Sequence, residues 1–304
     1  MGNNDEDNAI HFRNRYTGKT ETEQVYGGHW LGWAYNNPLG RLTVSLAVAR
    51  PWFSKWYGWR MRQPASQKKI FPFIEEYGLD AAEFLRPPDH FESFDQFFYR
   101  QLKPAARPID SSPDSVVFPA DGRHLGFQDT SRITQVFVKG QTFDLPKLLG
   151  DTNLAERFIG GSLVLSRLCP VDYHRFHFPA EGIPGAPNLV SGPLYSVNPV
   201  ALRRRLAIFW ENKREVTLLK TERFGDIAII EVGATCVGSI VQTHVPGQHT
   251  EKGGEKGYFR FGGSSVITLF QKGKICLDDD LIKSTSEGLE LYARMGDQMG
   301  VFAD

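Results

Sequence analysis

The chain has 304 residues, 41% of them apolar and 23% charged, and its 35 basic and 35 acidic side chains cancel. That is enough for a sizeable core in one large or two ordinary domains, and zero net charge gives no reason to expect a nucleic-acid partner. Cys169, Cys236 and Cys276 are widely spaced with no Cys-x-x-Cys pair, which argues against a disulfide framework or structural zinc and for reduced, mostly buried thiols in a cytosol-facing protein.

The first residues, Met1 to Asn8, are polar and acidic and lack the features of a secretory signal. Residues 1–25 read as a loose leader, and residues 26–40, rich in Gly and Pro, as turns. Residues 41–70 carry seven basic side chains (Arg41, Arg50, Lys55, Arg60, Arg62, Lys68, Lys69) and no acidic one. Trp52, Trp56 and Trp59 recur at i, i+4 and i+7, which lines them up on one helix face. A basic helix with such a face suits a membrane interface; packing on the protein's own core is the plain alternative. The longest nearly apolar run, Leu42 to Ala49, falls far short of the roughly 20 residues that span a bilayer.

Residues 71–106 read as helical, with Phe94, Phe97, Phe98 and Leu102 on one core-facing stripe. The Pro/Ser/Asp segment after Arg107 marks a boundary. Beyond it, short β-rich runs alternate with Gly and Pro: Val116 to Phe118, Thr134 to Val138, Gly161 to Leu165, Tyr173 to Phe178, Val216 to Leu219, Ile227 to Val232, Gly238 to Val241 and Gly257 to Phe270. A short helix is expected near Glu287 to Met295. The fold class is α+β, a helical N-terminal part (1–106) followed by a mostly antiparallel β domain (107–304).

Three segments carry chemistry-bearing residues. Asp121 follows a strand in FPADG, where Asp-Gly is usually a turn. Asp172, His174, Arg175 and His177 crowd into CPVDYHRFHFP; Asp172, His174 and His177 suit a metal-dependent hydrolase, and the two histidines also suit a structural pair or acid–base work near neutrality. Ser264 lies in GYFRFGGSSVITLF, which reads as strand, Gly-Gly hairpin turn, strand. A serine hydroxyl needs a base, and the base an orienting carboxylate; Asp121, His177 and Ser264 supply such a set.

Taken together and in this order, FPADG, DYHRFHFP and GYFRFGGSSVITLF resemble the phosphatidylserine decarboxylases, the Gly-Gly-Ser-Ser form being closer to the type II-like branch. Weaker matches extend the resemblance over residues 100–275, among them KGQTFDLPKLLG from Lys139 and LYSVNP from Leu194. The resemblance implies self-cleavage between Gly263 and Ser264, giving a β chain 1–263 and an α chain 264–304. His177, held by Asp121, is then the base for Ser264, which becomes a covalent pyruvoyl cofactor, the electron sink for decarboxylation. His174 is implicated in the decarboxylation itself. Asp172 is expected to support processing, and Arg175 to meet the phosphate. The implied partners are phosphatidylserine in a membrane and a second copy of the chain in a homodimer. The implied location is peripheral, on the cytoplasmic face of the cell membrane, with residues 41–70 as anchor. The remaining alternative is a non-catalytic membrane-binding relative.

Overall fold

The computed structural model describes residues 10–23, 51–131, 143–193, 208–233, 240–262 and 264–303. It opens with β1 (His11–Asn14) and β2 (Thr20–Thr22), then the helices α1 (Pro51–Met61), α2 (Ile70–Tyr77) and α3 (Phe94–Phe98). Next come β3 (Ser115–Val117), β4 (Gly122–Phe127), α4 (Leu145–Leu149), α5 (Thr152–Glu156), β5 (Ser162–Leu168), β6 (Arg175–His177), β7 (Ile183–Pro184) and β8 (Asn188–Val190). Helix α6 (Ile208–Glu211) precedes β9 (Arg214–Lys220), β10 (Asp226–Gly233), β11 (Ile240–Gln242), β12 (Glu255–Phe259) and β13 (Ser264–Phe270). The end holds β14 (Ile275–Leu277), α7 (Asp279–Ser286), β15 (Glu290–Ala293) and β16 (Gln298–Phe302).

Ten strands form the main sheet, ordered β2-β1-β15-β4-β5-β13-β10-β9-β7 with β8 also on β9. All its pairs are antiparallel except β1 with β15. Smaller sheets run β11-β12-β6 and β14-β16-β3. This is the expected α+β class.

Strand β13 is central, fully paired with β5 on one edge and β10 on the other. Its side chains alternate between faces. Ile267 and Leu269 join a core capped by Leu148, Leu149 and Phe209 of α4 and α6. Val266 and Phe270 face the second core, with Phe176 of β6 and Phe259 of β12. The same alternation puts Ser264 on this second face, toward the small sheet. A buried ion pair ties the two sheets there: Lys256 of β12 bonds both Glu231 oxygens of β10, at 2.9 and 3.0 Å, and Gln242 at 2.8 Å.

The helical region has its own aromatic core of Phe73, Phe84, Phe91, Phe94, Phe97 and Phe98. The expected stripe is therefore buried. Two residues from outside join it, the partly buried Val171 and Phe261, which immediately precedes the Gly-Gly pair. In α1, Met61 is buried while Trp56 and Trp59 are 45% and 54% exposed. Those two rings do not pack into the protein's core; the side chain of Trp52 lies outside the described residues.

Four expectations need correction. The Gly257–Phe270 segment is not a hairpin, because β12 pairs with β11 and β6 while β13 pairs with β5 and β10. With both edges of each strand occupied, the turn between them links two sheets. The leader is, over residues 10–23, a β-hairpin on the main sheet, with Ile10 and Phe12 buried. The C-terminal helix is α7, ahead of the expected Glu287–Met295, which holds β15 instead. Cys276 is exposed, whereas Cys169 is buried as expected. The expected turns at 26–40, the strand Thr134–Val138, Cys236, and the motif residues Lys139 and Leu194 to Pro199 lie outside the described residues.

Candidate active site around Ser264

Ser264 is the first residue of β13, wholly buried, and lies in register with Leu168 of β5 and Gly233 of β10. Its approach is held by Phe261, whose N–H donates to Asp95 Oδ1 at 3.0 Å. The Phe261 ring packs on Tyr57, Phe94 and Phe98 with centroids 5.6, 5.4 and 4.8 Å away. Gly262 follows at φ 138°, a backbone region that glycine tolerates and side chains avoid. Gly263, the expected cleavage residue, lies outside the described residues.

The hydrogen-bond partner of the Ser264 hydroxyl is His174, with Oγ and Nδ1 3.4 Å apart. His174 is completely buried, stacked on Phe98 at 3.8 Å. Its Nε2 lies 2.9 Å from Cys169 O. A carbonyl only accepts, so Nε2 carries the proton and Nδ1 turns a lone pair toward Ser264. Burial pushes the imidazole down to about 3, with the nearby Arg100 cation adding to the fall. The ring is therefore neutral near pH 7.

His177, three residues on, is also buried and lies on β6. Its Nδ1 is 2.9 Å from Gly253 O, so Nδ1 is the protonated nitrogen; Nε2 is buried without a partner among the described residues. Burial lowers its pKa, opposed by the Gly253 contact and by Glu255 and Asp121. Asp121 is close enough to be felt electrostatically, and the His177 N–H donates to Pro119 O at 2.7 Å. No hydrogen bond, however, joins Asp121 to His177 or His177 to Ser264. The Asp121 carboxylate is instead taken by Arg107, at 2.6 to 2.9 Å, and by the Met295 N–H at 2.9 Å. Arg107 also reaches Glu83 at 3.0 Å. The structure thus joins Ser264 to His174 and places Asp121 near His177, as two neighbouring pairs.

Asp172 accepts from Arg123 at 2.7 Å to each oxygen and from the Cys169 N–H at 2.6 Å. It therefore shapes the loop whose Cys169 carbonyl orients His174. Arg123 and Arg167 share Glu23, with Arg167 also on Glu290, so the N-terminal hairpin closes over this network. Arg175, expected at a phosphate, is ion-paired with Glu255 at 2.7 and 2.8 Å and donates to Tyr99 O at 3.0 Å. Asp172, His174 and His177 face different partners, and no cluster of three metal-ligating side chains occurs among the described residues. Nothing here supports the hydrolase alternative.

Sequence reasoning missed Arg107, Glu83 and Phe261. Their roles depend on the helical region folding against strands far along the chain, and no local spacing reports that.

A family model described as phosphatidylserine decarboxylase matches residues 94–301. Similar curated proteins, each named phosphatidylserine decarboxylase proenzyme, come from Fusobacterium nucleatum subsp. nucleatum, 44% identical over 96% of this chain and 97% of that protein, and Clostridium kluyveri, 42% identical over 96% and 99%. The Clostridium novyi protein is 42% identical over 92% of this chain and 95% of its own length.

Proposed function

Because the chain belongs to the phosphatidylserine decarboxylase family, we propose that it cuts itself before Ser264 and then converts phosphatidylserine to phosphatidylethanolamine and CO2. The observation that carries this reading is a fully buried Ser264 hydroxyl beside a neutral imidazole whose lone pair faces it. In the first chemistry the Ser264 oxygen attacks the Gly263 carbonyl carbon. The peptide C–N bond gives way to an ester, and the hydroxyl proton passes to the freed amine through a histidine base. Loss of the Ser264 α-proton expels the Gly263 carboxylate and leaves a dehydroalanine, which water converts to a pyruvoyl group with release of ammonia. Holding the attacking and attacked groups together makes a weak nucleophile effective.

Self-cleavage removes two protons in turn, from Ser264 Oγ and Cα, and one base can take each in turn. We assign processing to His177, with Asp121 setting its electrostatics, and decarboxylation to His174. The unpartnered, deprotonated Nε2 of His177 supports the first role. The 3.4 Å contact of His174 with Ser264 supports the second, since the group formed from Ser264 is then already beside it. Asp172 supports both indirectly through the Cys169 loop. The site fits the family's cofactor: Ser264 is its source, and Ser264, His174, Phe98 and Phe261 are all buried from bulk water. Once formed, the pyruvoyl group supplies the electron sink for loss of CO2.

The domain division at 106/107 becomes a membrane-associating helical region ahead of it and a catalytic β domain after it, the hairpin over residues 10–23 belonging with the latter's sheet. Exposed Trp56 and Trp59, with Arg60 over the Trp56 ring at 5.7 Å, support peripheral attachment to the cytoplasmic face. No helix among the described residues is long and apolar enough to cross a membrane. The rest of the expected anchor, residues 41–50, lies outside the described residues. A homodimer remains part of the proposal, to be read by light scattering of the processed enzyme.

Intact mass of the purified protein tests the core claim. Two chains, 1–263 and a 264–304 piece whose N-terminus resists Edman sequencing, are expected; Ser264→Ala stays whole and inactive. A wild-type chain that is whole yet decarboxylates phosphatidylserine refutes the reading. Vesicle flotation of a Trp56→Ala/Trp59→Ala variant tests the anchor, and unchanged binding removes it.

A further inference from the structure

The buried arginines around the site are almost all matched. Arg107 holds Asp121, Arg123 holds Asp172, Arg167 holds Glu23 and Glu290, and Arg175 holds Glu255. Arg214 has no carboxylate, but carbonyls of Leu148, Asn212 and Lys147 take its three nitrogens.

Arg100 is different. It is 4% exposed and forms no ion pair among the described residues. Its Nη2 donates to Val171 O at 3.2 Å, while Nε and Nη1 are buried without any partner among the described residues. The rings of Phe84 and Phe97, each 5.0 Å away, favour a cation but accept none of its in-plane hydrogens. Burial brings it down to about 10, against the opposing pull of Asp121 and Asp172, which are near enough to act on its charge but do not bond it, so it is still charged near pH 7. A buried guanidinium with open donors is costly unless something anionic completes it.

Its place says what that is. Arg100 follows Phe98, whose ring stacks on His174, and its one bonded nitrogen grips the loop that leads into His174. We propose that Arg100 is the headgroup-anion site, its open donors taking the phosphodiester of the lipid substrate. This rests on the decarboxylase reading above. The headgroup carries two anions, and the reaction chooses between them. The carboxylate loses its charge as CO2 forms, so a cation clamped on it would stabilise the ground state more than the transition state. The phosphodiester keeps its charge throughout, and holding it brings the amine and carboxylate toward Ser264 at no cost to the chemical step. The aromatic cluster over Arg100 also contains Tyr57 and Met61 of α1, so the membrane-facing helix and this anion site belong to one packed unit.

The test uses full-length Arg100→Met and Arg100→Lys, assayed after processing on short-chain phosphatidylserine in micelles. Binding of short-chain phosphatidylethanolamine, which keeps the phosphodiester and lacks the carboxylate, is measured alongside. Both variants are expected to cleave themselves. Arg100→Met should raise KM by about 10- to 100-fold, the range for a lost charged hydrogen bond, with kcat little changed. Product binding should weaken by the same factor, and Arg100→Lys should fall between. Unchanged KM overturns the proposal, as does weakened substrate binding with unchanged product binding, which would make the carboxylate the ligand. A fall in kcat alone overturns it too. If Arg100→Met does not fold, Arg100→Lys decides by the same comparisons. Wild-type protein that neither cleaves nor decarboxylates would defeat the underlying reading separately, before any variant is compared.

Discussion

Phe261→Ala should separate folding from processing. The side chain is 5% exposed and fills the space between Tyr57, Phe94 and Phe98, with centroid distances of 4.8 to 5.6 Å. Truncating a buried phenylalanine typically costs about 3–5 kcal/mol, part of it for the cavity left behind. Here the loss falls beside the cleavage site. The link from β12 to β13 spans only Arg260 to Gly263, and Phe261 is the only one of its described residues in the helical core. The N–H of Phe261 on Asp95 remains, so the link is loosened without being released. If a misplacement near 1 Å costs on the order of 100-fold in rate, cleavage should slow by about that factor. The assay is a time course of precursor conversion by intact mass after a synthesis pulse, with circular dichroism and a urea midpoint on the same sample. Phe261→Leu should be intermediate in both. A variant with the lowered midpoint but wild-type cleavage would refute the clamp.

His174→Ala is expected to cleave yet not decarboxylate, and His177→Ala to stay whole; if His174→Ala stays whole in a folded state, the hydroxyl's base is His174 and the two roles exchange. Stability should fall with acid. His124 and His174 are each held at about 3 by burial, against an ordinary value near 6.5. Below pH 6.5 the unfolded chain takes up protons that the folded one refuses, so stability is complete above that pH and is lost downward, by about 2 kcal/mol per histidine at pH 5. Equal urea midpoints at pH 7.5 and 5 would contradict this. Gly262→Ala should slow processing, because φ 138° strains any side chain; normal conversion would show that the turn relaxes freely. The cleaved chains should co-elute in native gel filtration and part only in denaturant, and separation without denaturant would refute the pairing described below.

The sequence made the chemistry legible and left the geometry hidden. Ser264, His174, His177 and Asp121 sit in three short motifs, and residue type plus order is enough to single them out. The strands β5, β9 and β10 were also legible, since each buries alternating β-branched and aliphatic side chains on both faces. The strand β4 was not, because Gly122-Arg123-His124 reads as the tail of a turn; its fully buried pattern comes from Arg123 finding Asp172 and His124 finding Ser166. The hairpin misreading has the same origin. Local sequence fixes that the chain turns at Gly262, but which strands lie on either side depends on β5, β6 and β10, distant in the chain. Arg107 and Arg100 escaped notice because a lone arginine's meaning lies in the carboxylate it finds or lacks.

A turn between two sheets suits a self-cleaving site better than a hairpin would. In a hairpin, cutting the turn frees two strand ends held chiefly by each other, and the new terminus frays. Here the proposed cut falls where β13 begins, with β5 and β10 bonded along both edges from Ser264 onward. Downstream, β15 pairs with β1 and β4, and β16 with β3, so the 264–304 piece is bound to the rest of the protein through three strands. The link upstream is held separately, by Phe261 in the helical core and by β12 through the Lys256–Glu231 pair. Breaking the bond before Ser264, as proposed, would therefore leave two ends that are anchored independently. The group proposed to form from Ser264 would stay pinned at the head of the central strand, beside His174.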